Sequence, residues 1–418
     1  MEKPKLFETQ KHFILTMAVL FILFLIHLGW EYRNYTEFIT KPFYFTHATV
    51  LNAYEKTKGK GSYQVLKLRS DDGLTFYTTT HRKSLLKHTR LRLQIFPDEK
   101  ITFPDYLGTF YVKSRITESR GMPLSLKERL LERVSVQHEA PALASLYNAI
   151  FFSTPLEKSL REKIAQLGVS HLVALSGFHL GILWGLVYGL LLLLYRPFQQ
   201  HYFPYRFALF DVGWVTVCIL GSYVWFVGFP PSLLRSYAML FTGWGVLLMG
   251  IELLSFYFLF TVAGALLALF PSLGVSLAFW LSITGVFYIF LLLQYAGRYN
   301  QWAIMLLIIP IGIFLLMLPV VHTVFGTTSP YQLFSPLLSL LFIPFYPVAM
   351  LLHLFDMGAF FDPLLLRLFS LPATAETHLL PLWITVGYIL LSLAAIRYRA
   401  AFYMLLATAS AYAVFLFA

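Results

Sequence analysis

The sequence predicts a polytopic α-helical membrane protein of about 8–10 spans, some broken or re-entrant, with an extracytoplasmic N-terminal OB-like β-barrel domain. Three observations lead there. The 418 residues are 58% hydrophobic and 13% charged, where a soluble chain carries about 25% charged residues. Runs of about 20 apolar residues, the length that crosses ~30 Å of hydrocarbon, recur from residue 172 onward. The positive charge is segregated as well. Residues 31–171 hold 22 Lys and Arg against 14 Asp and Glu, whereas everything beyond holds seven Arg, no Lys and five acids. Such a basic segment suits a polyanion or anionic lipid headgroups, or is simply a solvated surface.

The first element is the apolar run FILTMAVLFILFLIHLGW (13–30), behind a head containing Lys3, Lys5 and Lys11. A small-residue cleavage site is missing, so residues 1–30 read as a retained signal anchor with its N-terminus inside. Residues 31–120 then emerge outside. There the period changes from helical to alternating, and FTHATVLNAY, SYQVLKLRS, LTFYTTT, RLRLQIF and FYVKSRI are five predicted strands. KGKG (58–61) and DDG (71–73) mark turns, and HRKSLLKH a small helical insert. Five short strands with such an insert suit an OB-type barrel, a fold that often binds single-stranded nucleic acid. Lys67, Arg69, Arg90 and Arg92, interleaved with Tyr63 and Tyr77, could supply cations for phosphates and rings for bases. In so small a barrel, many of the aromatic rings must equally serve the core.

Residues 121–170 read as amphipathic helices at the membrane surface. Ser125 with Glu128, and Thr154 with Glu157, are predicted capping boxes, the second with Pro155 at the first helical position. Gly168 is placed as a C-cap. Residues 171–418 form the multi-span domain, with spans predicted at 172–195, 208–228, 233–250, 254–270, 274–295, 302–321, 333–355, 381–396 and 400–418. Arg397 and Arg399 conflict with simple alternation, which points to a broken segment at TTSPYQLFSPLLSLLFIPFYP. Pro336 to Ile343 is too short to cross, and Ser335-Pro336 predicts a half-helix start. A simple interhelical loop is the alternative.

Two polar clusters fall inside apolar surroundings. In GFPPSLLRSYAML, Ser232 is a predicted cap and Arg235 lies in the first turn, a corner suited to phosphate. The alternative is an arginine reaching headgroups from a short loop. Asp211 and Glu252 are candidate counter-ions. The second cluster is HLVALSGFHLG. A continuous helix would hold His171 and His179 ~12 Å apart along its axis, too far to share a metal ion, and Ser176 beside His179 lacks an orienting acid. Gly177, Gly181, Gly185 and Gly189 recur every four residues, a ladder that lets another backbone approach closely. No metal, cofactor or catalytic group is predicted, and the lone Cys218 excludes an intrachain disulfide.

SHLVALSGFHLGIL resembles the signature of the ComEC competence proteins. PPSLLRSYAM, SLAFWLSITGVFYIF and SPLLSLLFIPF follow in the same order as that family's further blocks. The resemblance implies passage of single-stranded DNA across the cytoplasmic (inner) membrane during natural transformation. Carried over residue by residue, it implies functional positions at Ser170, His171, Ser176, Gly177 and His179, at Pro231, Ser232 and Arg235, and at Ser335 and Pro336. Gly181 and Gly185 join the expected DNA path through the ladder. Many members carry a C-terminal metallo-β-lactamase-like nuclease domain, whereas this chain ends with its last span, so strand degradation is expected to need a separate nuclease. Some members have an OB-domain disulfide, which this chain cannot form. Neither a phosphate-binding loop nor an acidic proton relay is visible. The expected partners are therefore single-stranded DNA, membrane lipids, an extracytoplasmic DNA receptor and a cytoplasmic motor or strand-binding protein. A small-solute or lipid-linked permease, or an intramembrane hydrolase using His171, Ser176 and His179, are the rival readings.

Overall fold

The computed structural model describes residues 6–7, 9–58, 61–81, 89–122, 125–248, 255–372 and 375–417. The insert at 82–88, the turn residues 59–60 and Glu252 lie outside the described residues. The chain divides into two compact units, one of residues 7–129 with 261–277, the other of 1–6, 130–260 and 278–418.

In the first unit, α1 (Gln10–Thr40) runs ten residues beyond the expected anchor. Its last turn brings Phe38 into the core of a β-sheet. The strands are β1 (Tyr44–Lys58), β2 (Gly61–Ser70), β3 (Thr75–Thr80), β4 (Thr89–Phe96), β5 (Phe110–Tyr111) and β6 (Lys113–Gly121). Alternation works as read: Leu91, Leu93 and Ile95 are fully buried, as are Leu66, Leu68 and Phe76. Gly73, at φ 89, makes the 71–73 turn, where the left-handed region favours glycine. The sheet order is β5-β3-β2-β1-β4-β6. The expected closed barrel is not drawn by these ladders. The fifth predicted strand is divided at Val112, whose N–H donates to the Tyr77 carbonyl at 2.9 Å. Its first part lies parallel to β3 and its second antiparallel to β4. Between β4 and the last strands lies α2 (Phe103–Leu107), held by a Thr102–Asp105 capping box.

The second unit is helical. It contains most of α3 (Leu126–Val136), then α4 (Pro141–Phe152), α5 (Lys158–Gln166), α6 (Ser170–Val173), α7 (Gly177–Tyr202), α8 (Ala208–Phe226) and α9 (Pro231–Leu248). α10 (Phe256–Leu269) is divided between the two units. α11 (Leu277–Ala296), α12 (Gln301–Ala303), α13 (Ile309–Val321), α14 (Ser335–Leu354), α15 (Asp362–Phe369), α16 (Leu382–Ala395) and α17 (Arg399–Phe417) complete it. Among the described residues seven helices are long and apolar enough to cross a membrane, and 233–248, 256–269 and 382–395 are shorter apolar helices. The protein is a multi-pass membrane protein.

Local expectations meet mixed outcomes. The Ser125–Glu128 box forms, with the Ser125 N–H donating to Glu128 Oε2 at 2.6 Å. The Thr154 box does not, because α5 starts only after Glu157, which makes no side-chain cap. Gly168 takes φ 67 just past α5, the left-handed residue that stops a helix. Its missing Cβ would lie 3.2 Å from Gln332. α4 buries eight of its twelve residues, including Leu143, Tyr147 and Phe151, so it is a core helix. The broken segment expected at 327–347, with a half-helix too short to cross at 336–343, is corrected: α14 continues for 20 residues through Pro344 and Pro347. Each proline removes one helical N–H, a loss that membrane helices tolerate when neighbours satisfy the freed groups.

Candidate functional site

The stretch 170–181 is not one helix. α6 ends after Val173, Ala174 is extended at φ −69, ψ 116, and α7 starts at Gly177. Ser170 is the first helical residue rather than the cap, a position held by Val169. Ser176 is the N-cap of α7. Its N–H donates to His179 Nδ1 at 3.4 Å, and its Oγ lies at the same distance from that nitrogen. A histidine thus takes the role that Glu or Gln plays in the usual capping box. The His179 ring is buried edge-on against Phe342 at 5.0 Å and Tyr346 at 4.9 Å. The helix breaks between the two histidines, so no single axis separates them by the expected ~12 Å. His171 is exposed and its Nε2 meets Ser339 Oγ at 3.1 Å. Among the described residues no cluster of three or more His, Cys, Asp or Glu side chains could hold a metal ion.

The four sequence blocks converge. Ser335 Oγ donates to the Gly168 carbonyl at 2.9 Å and Gln332 Nε2 to the Ala165 carbonyl at 3.3 Å, tying the start of α14 to the turn before α6. Ser335 was expected to cap a half-helix. The N-cap is Phe334, and the Ser335 hydroxyl is used for this tie instead. Gly177 meets the second block: a Cβ there would lie 3.0 Å from Ser236 Oγ. The third block supplies Phe279, whose ring centre is 5.8 Å from the Arg235 guanidinium carbon.

Arg235 is only 4% exposed and its Nε is buried without a hydrogen-bond partner. No carboxylate pairs with it among the described residues. Asp211, the expected counter-ion, is taken by Arg206 at 2.7 and 2.9 Å and by Tyr195 at 2.5 Å. The turn feeding α9 is strained, with Gly228 at φ 89 and Phe229 at φ 52, the second unusual for a bulky residue. The Pro230 carbonyl accepts from the N–H groups of Leu233 and Leu234 at 2.9 Å, so Ser232 lies within the first turn and not at the cap. The Ser232 side chain lies outside the described residues.

The glycine ladder faces open space. A Cβ at Gly181, Gly185 or Gly189 would touch nothing within 4 Å. Tight packing by another helix of the chain is thus confined to Gly177. An apolar groove of about 600 Å³ runs there between α7 and α14, lined by Phe178, Gly181, Ile182, Gly185, Ile343 and Pro347 among others.

In the first unit, cross-strand pairing collects all six basic and aromatic candidates on one face. Lys67 pairs with Tyr77 and with Asn52, Arg69 with Thr49, Arg90 with Thr49, and Tyr63 with Lys56. Lys67 lies 5.7 Å from the centre of the Tyr77 ring. Arg90 and Arg92, however, are matched by Asp71 at 2.5 Å and Glu118 at 2.9 Å. Lys67 and Arg69 enter no ion pair among the described residues.

A group that sequence reading missed joins His138, His353 and Asp362. Asp362 Oδ2 lies 2.8 Å from His138 Nδ1, and the two Nε2 atoms are 3.0 Å apart. Separations of 224 and 215 residues left no local signal.

A family model described as "Competence protein" matches residues 153–418. An uncharacterized protein of Aquifex aeolicus (strain VF5) is 27% identical over 246 residues, 58% of this chain and 55% of that protein. The chain thus spans just over half the length of this curated relative. No solved structure matches.

Proposed function

Because the chain belongs to the Competence protein family, we propose that it passes single-stranded DNA across the cytoplasmic (inner) membrane during natural transformation. The observation that carries this reading is the convergence of the four sequence blocks around a buried arginine that has no acidic partner among the described residues. An unpaired cation in a bilayer is costly and marks a site that meets anions. Arg235 would offset phosphate charge, and the open glycine face of α7 would let a strand pass close to the α7 backbone. Ser170, His171 and Ser176 would border the entrance, and His179 would keep the start of α7 in place. The apolar walls of the groove would meet bases rather than phosphates.

The N-terminal sheet is read as an OB-related strand receiver. Residues 110–121 pair first with β3 and then with β4, with only Val112 between the two ladders, a pairing that supports a relation to OB folds although the sheet is not a closed barrel. Its Lys67–Tyr77 face combines a cation with a ring. An extracytoplasmic receptor would deliver the strand, a separate nuclease would remove its complement, and a cytoplasmic motor or strand-binding protein would draw it in.

The test is uptake of end-labelled DNA in cells whose own copy is replaced by Gly181→Leu. A Cβ at that position meets nothing within 4 Å, so a Leu side chain there projects into the groove. Membrane insertion is expected to be normal and label in the cytoplasm to be lost. Normal uptake would exclude this route. Uptake of a small solute or lipid-linked sugar in place of DNA would favour the permease.

A further inference from the structure

The His138–His353–Asp362 group admits only one proton inventory. His353 Nδ1 lies 2.7 Å from the Ala349 carbonyl, which can only accept, so this nitrogen carries hydrogen. The two Nε2 atoms, 3.0 Å apart, need one hydrogen between them. His138 Nδ1 meets both oxygens of Asp362, at 2.8 and 3.0 Å, and one further hydrogen lies there. Two neutral rings and a carboxylate supply two hydrogens, whereas the geometry requires three. The group therefore holds one extra proton, shared along Asp362, His138 and His353.

We infer that these three residues form a one-proton latch that fastens the segment around His138 onto the C-terminal end of α14. Without that proton, a nitrogen lone pair would face either the other ring's lone pair at 3.0 Å or the Asp362 carboxylate. With a second one, either two N–H groups would face each other or Asp362 would be neutral and its ion pair with the His138 ring lost. Each change weakens the contact and releases it. The hydrogen-bonded chain ends at the Ala349 carbonyl within α14, so it is a dead end and not a conduit. The His138 side chain is wholly buried, while that of Asp362 is 13% exposed, which makes the carboxylate the point of exchange with solvent.

The surroundings limit other sources of charge. From α4, Tyr147 stacks on His138 at 4.5 Å and 8°, and lies 4.5 Å from His353. From the turn after α14, Asp356 is matched by Arg133 of α3 at 2.9 Å. That hydrogen bond holds the Asp356 carboxyl below the ordinary carboxylate range, so it stays ionised while the latch titrates. Gln137 bridges the two sides, donating to the His353 carbonyl at 3.1 Å and accepting from the Gly358 N–H at 2.8 Å. Glu139, next in the chain, is exposed. A Cβ on Gly358 would lie 2.6 Å from His353 Nε2 and 2.5 Å from Gln137 Oε1, so only glycine lets the chain close over the pair.

The test uses the full chain in lipid nanodiscs and no DNA, so its outcome is independent of the transport reading. Amide hydrogen exchange of 137–152 and 349–362 is followed from about pH 5 to 9, the range in which histidines titrate, and corrected for intrinsic rates. Protection in the unaltered protein should pass through a maximum and fall on both sides, approaching tenfold per pH unit, the slope of one proton. Nitrogen-15 spectra of labelled histidine should show both nitrogens of His138 protonated at that maximum. His138→Gln and Asp362→Asn should flatten the profile. A flat profile in the unaltered protein, or an unchanged one in His138→Gln, overturns the latch. The unaltered profile decides the matter by itself if neither variant inserts.

Discussion

Replacing Arg235 by leucine should make the protein more stable and stop its transport. The guanidinium is 4% exposed, its Nε has no partner, and its carbon lies 5.8 Å from the centre of the Phe279 ring. A cation–π contact at this separation contributes roughly 0.5–2 kcal/mol. Desolvating an ion costs several kcal/mol, and apolar replacement of buried charged groups is often stabilising by about 1–4 kcal/mol. The balance favours leucine by an amount within that range. Detergent-solubilised protein compared by denaturant or thermal unfolding reads the first half, and labelled-DNA entry into the cytoplasm reads the second. Arg235→Lys keeps the charge but loses the planar fork that matches phosphate oxygens, so it should restore transport only in part. A destabilised Arg235→Leu protein would mean that the arginine is structural. A stabilised protein with full transport would mean that the buried charge has no role in the path.

Three further outcomes follow from the geometry. Gly213→Ala would drive a Cβ into the Trp244 ring. It should cost at least the ~1–3 kcal/mol of overpacking, seen as a lowered unfolding midpoint, whereas Gly181→Ala should stay within about 0.5 kcal/mol of the parent. Oligonucleotide binding by the full chain should weaken with salt, and Lys67→Ala or Arg69→Ala should each reduce the logarithmic salt slope by about 0.7. Arg90→Ala and Arg92→Ala should change that slope less, because Asp71 and Glu118 already neutralise those cations; equal effects at all four positions would refute this division.

Much of the architecture was legible because it rests on short-range periodicity. Alternation in RLRLQIF placed Leu91, Leu93 and Ile95 inside, and apolar runs located the helices from 177 to 417. What escaped depended on partners distant in sequence or on backbone choices that residue type leaves open. Ala174 and Leu175 are good helix formers, yet the chain breaks there, with Leu175 buried and Ser176 capping α7. Pro344 and Pro347 read as breaks but are carried within α14. Arg235 was identified as polar and intramembrane, while only the structure shows that Asp211 is bound to Arg206 instead. The His138–His353–Asp362 group gave no local pattern, because its members lie more than 200 residues apart in the chain.

The N-terminal helix carries a consequence for biogenesis. His27 Nδ1 bonds to the Ala268 carbonyl at 3.0 Å across 241 residues, and a Cβ on Gly264 would lie 3.1 Å from Met17 and 3.4 Å from Leu20. At synthesis rates of ~5–20 residues per second, α1 enters the bilayer roughly ten to fifty seconds before residues 261–269 exist. During that interval it stands in lipid with its Met17 face uncovered. A bulkier residue at Gly264 would strike at the completion of folding, when the last-made partner comes to dock, and would leave the earlier insertion of α1 untouched.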